Sequence, residues 1–228
     1  MSGWAEFVLA YAAFMASHAI PSRPALKARF ERALGRTGYL TAFALLSTAL
    51  LVWLIVATER APIVEIWGQE GWMRWLVNLA MPVSILFGTF AVGAINPFSF
   101  GGRAQGFDPA HPGIAGVTRH PLLISLLIWS GAHLIANGDL AHVILFGTFA
   151  LISVLGMWAI DRRNRRLWGA EEWARLSAAT ANIPFAALIR GAWRPTRGPS
   201  WLRVSIAVLV WAGLWYLHAP VIGLSPAP

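Results

Sequence analysis

Histidine side chains lie in or next to apolar segments of this 228-residue sequence, and they are its first candidates for chemistry. Four of the six are placed in this way: His18, His120, His133 and His218. An ionisable group in such a segment is costly and often functional, and neutral imidazole is a common metal ligand. Two histidines on different helices could bind a haem iron from both faces, whereas the structural alternative is an imidazole that hydrogen-bonds between helices. The chain has no cysteine, so its metal chemistry is predicted to depend on imidazole.

The spacing of His120 and His133 limits which histidines can share an iron. They are 13 residues apart, and this separation is about 20 Å along one helix, so they cannot bind the same iron. Trp129, His133 and Asn137 follow one another at intervals of four residues and share a helical face. Asn137 is therefore predicted to orient the His133 imidazole or to bond a ligand.

The tripeptide Arg119-His120-Pro121 is typical of a helix start. Pro121 suits the first turn of a helix, where its missing N–H costs nothing. Arg119 and His120 would then stand at the positive end of the helix dipole. We predict an anion site here, for a haem propionate, a carboxylate or a phosphate. The alternative is an interfacial cap in which the Arg119 side chain extends towards water.

Membrane-spanning helices are the elements that must position these residues. Hydrophobic residues make up 57% of the chain and charged residues only 12%, a composition unlike that of soluble domains. The pattern predicts an all-α, polytopic membrane helix bundle that forms one integral-membrane domain over residues 1–228. Windows of about 20 apolar residues predict about six transmembrane helices, over residues 3–20, 38–58, 75–95, 121–137, 141–160 and 201–219.

Basic residues predict how these helices are oriented. Fifteen of the 18 lysines and arginines fall in three segments on one predicted side, residues 21–37, 96–120 and 161–200. Such residues stay cytoplasmic. An even number of spans then places both termini outside, in a multi-pass membrane protein. Topology thereby explains the net charge of +8, and the predicted partner is the lipid bilayer and not nucleic acid.

Three further segments carry predictions. Residues 1–20 have no basic region before the apolar run and no cleavage pattern after it, so they are predicted to be retained as the first span. Leu26, Phe30 and Leu34 recur at helical spacing among basic residues and predict an amphipathic helix on the inner leaflet. Residues 95–117 are rich in glycine and proline and predict a functional loop or a re-entrant segment.

Four sequence elements resemble those of the NnrU family of bacterial membrane proteins and, through it, the 15-cis-ζ-carotene isomerases. They are ASHAIPSRP (16–24), VTRHPLLISLLIWSGAHLIANGDL (117–140), NIPF (182–185) and the histidine within WYLHAPVIGLSP (215–226). The resemblance implies an integral membrane haem b protein with a redox or cis–trans isomerase role, or with a role associated with denitrification. It also implies a lipophilic or small-molecule substrate and a membrane redox or denitrification partner. The location that it implies is the bacterial inner (cytoplasmic) membrane.

The same resemblance implies His18 and His133 as the axial ligands of the haem iron. Depth in the predicted topology instead pairs His18 with His120 and His133 with His218, so His120 and His218 are the alternative ligands. Ser130 stands at the position of an alternative cysteine ligand of the isomerase, three residues before the second histidine. Arg119 and Asn137 complete the predicted cofactor site.

A fainter resemblance links the chain to isoprenylcysteine carboxyl methyltransferases. Its elements are RHP at 119–121, EEW at 171–173 and the IPF that follows at 183–185. The resemblance implies a membrane methyltransferase in which Arg119, His120 and Glu172 surround S-adenosylmethionine, the alternative cofactor. A third hypothesis is a non-catalytic membrane accessory protein, which would need neither cofactor.

Overall fold

The computed structural model describes residues 3–21 and 23–228, and long helices dominate both parts. The fold is all-α, as predicted. In the described ranges the helices are α1 (Gly3–Ala19), α2 (Pro24–Glu59), α3 (Gly71–Ala91), α4 (Ile114–Val117), α5 (Pro121–Ala136), α6 (Leu140–Trp168), α7 (Ala170–Ser177), α8 (Ala186–Ile189) and α9 (Trp201–Ile222).

Length and composition identify which of these helices can cross a membrane. Four are long and apolar enough, namely α2, α3, α6 and α9, so the chain is a multi-pass membrane protein by these criteria. Helix α5 is also apolar but has only 16 residues, about 24 Å of helix, which is shorter than the bilayer core of about 30 Å. Each of the six predicted spans overlaps a helix. The total of six membrane crossings and the orientation of the helices stay predictions.

Several helix ends differ from the predicted bounds, because α2 begins at Pro24, α3 begins at Gly71 and α9 ends at Ile222. Two further differences lie next to the candidate site. Helix α3 ends at Ala91 and not near residue 95, because the chain turns at Gly93, whose φ of 65° favours glycine. Helix α6 continues to Trp168, eight residues beyond its predicted end at 160. The basic residues after the span extend the helix because arginine is a strong helix former. Asp161 consequently lies within α6 and not in a loop.

The described residues form two compact units. The first contains those up to Trp67 together with Asp139–Leu145, and the second contains Gly68–Gly138 and Phe146–Pro228. In the first unit α1 packs on α2. Helix α2 is interrupted at Gly35, where φ is 70°, and the turns before this break carry exposed Phe30 and Leu34 among basic residues, as the amphipathic pattern predicted.

Helix α3 is the centre of the second unit, because it packs against both α5 and α9. Ser84 of α3 donates to the carbonyl oxygen of Ser125 of α5 at 2.7 Å. Phe87, Ile124 and Met157 form a small buried apolar cluster that links α3, α5 and α6. These contacts fix the position of α5, which carries His133 and directly follows His120.

Residues 95–117 fold back on themselves to form an ordered loop. The amide of Asn96 donates to the carbonyl of Arg103 at 2.8 Å, and the amide of Arg103 donates to the carbonyl of Ala94 at 2.8 Å. The buried Asn96 side chain then donates from Nδ2 to the backbone oxygen of Arg119 at 3.0 Å. The loop therefore supports the chain segment that enters α5.

Candidate functional site

The Arg119-His120-Pro121 motif lies at the start of α5, as its composition predicts. Both basic side chains bind the carboxylate of Asp161 on α6. Arg119 donates from Nε and Nη2 to Oδ2 at 3.2 and 2.8 Å, and His120 donates from Nε2 to Oδ1 at 2.8 Å. The anion at Arg119 is therefore a carboxylate of the chain itself.

Residues 180–182 close the same network from a third segment. The Asn182 side chain donates from Nδ2 to Oδ2 of Asp161 at 2.9 Å, and Arg119 donates from Nη1 to the hydroxyl of Thr180 at 3.2 Å. The backbone amide of Arg119 also donates to the carbonyl of Ala181 at 2.7 Å. Asp161 thus accepts four hydrogen bonds: two from Arg119, one from His120 and one from Asn182.

Burial makes this carboxylate network energetically important. His120 is fully buried, whereas the side chains of Arg119 and Asp161 are 15% and 14% exposed. The His120 Nδ1 and Asn182 Oδ1 atoms are buried without a hydrogen-bond partner among the described residues. Since Nε2 of His120 already carries the donated proton, a neutral ring leaves the lone pair on Nδ1. We call Arg119, His120, Asp161, Thr180 and Asn182 the Asp161 network.

Aromatic rings cover one side of the Asp161 network. The guanidinium carbon of Arg119 lies 5.5 Å from the ring centroid of Trp173, within the range of a cation–π interaction. Trp173 in turn stacks on Trp168 with a centroid distance of 6.1 Å. Phe98 packs edge-on against both indoles at 5.7 Å. These rings restrict the access of water to the guanidinium and so strengthen its interaction with the carboxylate.

Glu172, which the methyltransferase resemblance would bring to the cofactor, binds Arg175 within α7. Arg175 donates to its two carboxylate oxygens at 2.7 Å each. These hydrogen bonds from Arg175 hold the pKa of the Glu172 carboxyl below its usual range. Within the EEW segment, Trp173 is therefore the residue that contacts Arg119, whereas Glu172 pairs with Arg175.

Asp161 was not predicted from sequence, although it accepts hydrogen bonds from both predicted residues. It directly precedes the basic run Arg162–Arg166, which indicates a stop signal at the end of a span. The available signal was that Asp161 is a single carboxylate on the same predicted side of the membrane as Arg119 and His120. Asn182 gave no comparable signal, because an amide near a proline-containing loop is common.

His133 lies in the last turn of α5 and is oriented by its own helix. Its Nδ1 donates to the carbonyl oxygen of Trp129 at 2.8 Å. The imidazole is also flanked by aromatic rings, with centroid distances of 5.6 Å to Trp129 and 5.1 Å to Phe146. Because a carbonyl can only accept, this bond fixes the proton on Nδ1 and leaves the lone pair of a neutral ring on Nε2.

Asn137 contacts the backbone of His133 and not the imidazole nitrogen that it was expected to orient. Its Nδ2 donates to the His133 carbonyl oxygen at 2.7 Å, where α5 ends. The same carbonyl also accepts from the backbone amide of Asn137 at 3.0 Å, so the Asn137 side chain adds a second hydrogen bond at the end of the helix. The shared face of Trp129, His133 and Asn137 was correctly predicted, but the carbonyl of Trp129 is the group that orients the ring.

His18 lies in the last turn of α1, in the first unit, and has a similar local geometry. Its Nδ1 donates to the carbonyl oxygen of Phe14 at 2.9 Å. The rings of Phe14 and Phe43 lie at centroid distances of 4.3 and 5.4 Å from the imidazole. The lone pair of neutral His18 is consequently also on Nε2.

His218 is the remaining predicted ligand, and it lies near the end of α9. Its Nδ1 donates to the carbonyl oxygen of Leu224 at 2.8 Å. Within residues 3–21 and 23–228, no group of three or more histidine, cysteine, aspartate or glutamate side chains is arranged to hold a metal ion. The choice among His18, His120, His133 and His218 as haem ligands therefore stays a prediction.

The fold and these residues define a class: a multi-pass helical membrane protein with histidines in its apolar helices. Within this class the chain belongs to the NnrU family, because residues 6–226 match the NnrU protein family. This match covers nearly the whole chain and confirms the resemblance found in the sequence.

Two plant proteins are similar to the chain over part of their lengths. The chloroplastic 15-cis-zeta-carotene isomerase of Zea mays is 27% identical over 173 residues, which are 71% of this chain and 44% of that protein. The Arabidopsis thaliana protein of the same name is 33% identical over 81 residues, 35% of this chain and 21% of that protein. The chain thus spans less than half the length of these relatives. No solved structure shows significant similarity to it.

Proposed function

We propose that the chain is a membrane isomerase that binds haem b and converts a cis double bond of a lipophilic polyene to trans. Membership of the NnrU family and similarity to two 15-cis-zeta-carotene isomerases support this proposal. The hydrogen bond from His133 to the Trp129 carbonyl is the structural observation on which the proposal rests.

An imidazole that binds iron needs a lone pair on one nitrogen and a hydrogen-bond acceptor for the other. His133 meets both requirements, because its Nδ1–H donates to Trp129 at 2.8 Å and its lone pair lies on Nε2. The bond is made within one helix, so it holds the ring orientation through local backbone geometry. When bound, haem supplies a redox-active iron to this site.

The aromatic rings beside His133 suit an apolar cofactor and substrate. Phe146 and Phe149 are 7% and 9% exposed, and both pack edge-on against Trp129, at 5.3 and 5.6 Å. They provide an apolar wall beside the imidazole. We therefore assign His133 the role of an axial ligand, and His18 stays the predicted second ligand.

His120 has a different role in this proposal. Its Nε2 is bonded to Asp161 and its ring is fully buried, so we assign it to the positioning of α5 beside α6. Iron binding by His120 with this hydrogen bond kept would have to use Nδ1, which is buried inside the protein.

An absorption spectrum of the detergent-purified protein, oxidised and dithionite-reduced, tests the proposal together with a pyridine haemochrome assay. We expect a stoichiometric b-type spectrum that is lost in His133→Ala and kept in His111→Ala, which removes an exposed histidine outside the helices. The His18→Ala, His120→Ala and His218→Ala variants identify the second ligand. Conversion of 15-cis-zeta-carotene in proteoliposomes, followed by chromatography, then tests the isomerase activity.

A colourless protein, despite haem supplied during expression, would contradict the proposal. Calorimetric titration with S-adenosylmethionine would then test the methyltransferase alternative, for which Arg119→Gln is the matching variant. Failure of both ligands to bind would favour a non-catalytic accessory protein. A bacterial inner-membrane location, a denitrification role and a membrane redox partner stay predictions.

A further inference from the structure

A cavity in the second unit lies where α3 ends and α9 begins, and the 95–117 loop forms much of its wall. Its volume is about 320 Å³, at the lower end of the roughly 300–1,000 Å³ of small-molecule pockets. Apolar and polar side chains share its lining, including Phe90, Ile95, Phe107, Asp108, His111 and Arg203. The haem proposal uses none of these residues.

Arg203 provides a fixed positive charge in this cavity. Its Nη1 donates to the carbonyl oxygens of Thr89 and Val92 at 2.6 and 3.0 Å, and its guanidinium carbon lies 5.9 Å from the Phe90 ring centroid. Carbonyl oxygens orient the guanidinium but do not neutralise it. Both of these hydrogen bonds use one terminal nitrogen, and a guanidinium has five N–H donors.

The carboxylate in the lining is paired locally. Asp108 accepts from Nδ1 of His111 at 2.8 Å and from the backbone amide of Ala110 at 2.9 Å. The hydrogen bond from His111 holds the pKa of the Asp108 carboxyl below its usual range. These local donors occupy both carboxylate oxygens of Asp108, and Arg203 is the arginine that lines the cavity.

The cavity also lies at the end of membrane-crossing helices. Helices α3 and α9 are both long and apolar enough to cross a bilayer, and they pack together. Trp201 and Leu202 at the start of α9 are 75% and 71% exposed, as is typical of residues at the level of lipid headgroups. The cavity therefore combines an interfacial position, an apolar wall and a cation.

We infer that this cavity binds the phosphate headgroup of an anionic phospholipid. Arg203 is the cation that pairs with the phosphate, since guanidinium groups match phosphate oxygens in geometry and charge. Phe90, Ile95 and Phe107 contact the apolar part of the lipid next to the headgroup. The inference is independent of haem binding.

Native mass spectrometry of the delipidated full-length protein in a neutral detergent, with added phosphatidylglycerol, tests the inference. We expect Arg203→Gln to weaken phosphatidylglycerol binding about tenfold, as is usual for a lost charge-assisted hydrogen bond. Ala94→Leu adds volume to the lining without changing charge, and we expect the same loss. Arg197→Gln removes an equal charge from an exposed loop position outside the cavity, and we expect no loss.

Three results would overturn the inference. Equal loss in Arg197→Gln and Arg203→Gln would indicate unspecific surface charge. Binding of phosphatidylcholine as strongly as phosphatidylglycerol would show that the cavity does not select an anionic lipid. Displacement of phosphatidylglycerol by millimolar inorganic phosphate would indicate a site for a free anion. Because Arg203 also caps α3, retention of lipid in Ala94→Leu would overturn the inference even if Arg203→Gln failed to fold.

Discussion

The two ends of α5 carry the same side chain in different chemical environments. At the first end, the ring of His120 is fully buried and donates from Nε2 to Asp161, 41 residues away in sequence. At the other end, the ring of His133 donates from Nδ1 to Trp129, four residues earlier in the same helix. The proton is therefore fixed on opposite nitrogens of the two imidazoles.

In the proposed function, this difference separates His120, which positions α5, from His133, the proposed iron ligand. The first depends on a tertiary partner of opposite charge, so its loss should disturb the packing of several segments. The second depends on a local backbone bond, which any α-helix at this position would provide. Substitutions at the His120 end should therefore change stability more than substitutions at the His133 end.

The largest effect is expected for Asp161→Asn. The change removes the charge that pairs with Arg119 and adds an amide donor where Arg119, His120 and Asn182 already donate. Breaking a buried ion pair from one side costs about 3–5 kcal/mol, and we expect the lower end of this range because Asp161 is 14% exposed. The free energy of unfolding in mixed micelles of neutral detergent and dodecyl sulfate measures this effect.

Asp108→Asn is the matched control for that substitution, because Asp108 also pairs with a histidine but is exposed. We expect no resolvable change in its unfolding free energy, since exposed ion pairs contribute little. Equal effects of the two substitutions would contradict the assignment of Asp161 to a buried, stabilising network.

The next largest effect is expected for Gly116→Ala, just before the His120 end. A Cβ at Gly116 would overlap the indole ring of Trp193, and overpacking of this kind costs about 1–3 kcal/mol. Gly131 lies inside α5 near the His133 end, and a Cβ there meets no atom within 4 Å. We expect Gly131→Ala to stabilise the protein by about 0.5–1 kcal/mol, because alanine is the better helix former. The two unfolding midpoints should thus shift in opposite directions, and shifts of the same sign would contradict the assigned packing.

A smaller effect is expected for Asn137→Ala at the His133 end. The substitution removes the hydrogen bond from Nδ2 to the His133 carbonyl, and one such bond contributes about 1 kcal/mol. Ser130→Ala is its control within α5, because the Ser130 hydroxyl bonds the Leu126 carbonyl of its own helix, an interaction that adds little to helix stability. Thermal unfolding should rank Asn137→Ala below Ser130→Ala in stability, and a loss as large as that of Asp161→Asn would contradict the comparison.

Sequence reasoning predicted the His133 end well, for a physical reason. A helix places residues four apart on one face, so the shared face of Trp129, His133 and Asn137 follows from α5 alone. The start of α5 at Pro121 was equally predictable, because a proline at the first helical position is a local signal. The hydrogen-bond partner of the His133 ring was not predictable, because the Trp129 carbonyl and the Asn137 side-chain amide both lie on that face.

The His120 end was only half predictable, because its partners come from distant segments. The position of Arg119 at a helix start indicated an anion, but the identity of that anion depends on how α5 and α6 pack. Asp161 and Asn182 lie 42 and 63 residues beyond Arg119 in the chain. No local pattern encodes these distances, so a single sequence gives the chemistry of this end without its partner.

The smallest effect is expected for Glu172→Gln, which removes an exposed ion pair close in sequence to the buried one. The Glu172 and Arg175 side chains are 43% and 60% exposed, so solvent screens their attraction and the substitution should cause no resolvable loss of stability.

The pair has a defined pH dependence, because Arg175 lowers the pKa of Glu172 in the folded state below its usual value of 4.5. Any stabilisation is therefore present above that value and disappears as the pH falls through the folded-state pKa. Unfolding midpoints of the wild type and Glu172→Gln, measured from pH 7 to pH 3, should differ little throughout and converge at the acid end. A large gap at pH 7 would show that Glu172 has a stabilising partner besides Arg175, and would reduce the contrast between this exposed pair and the buried Asp161 network.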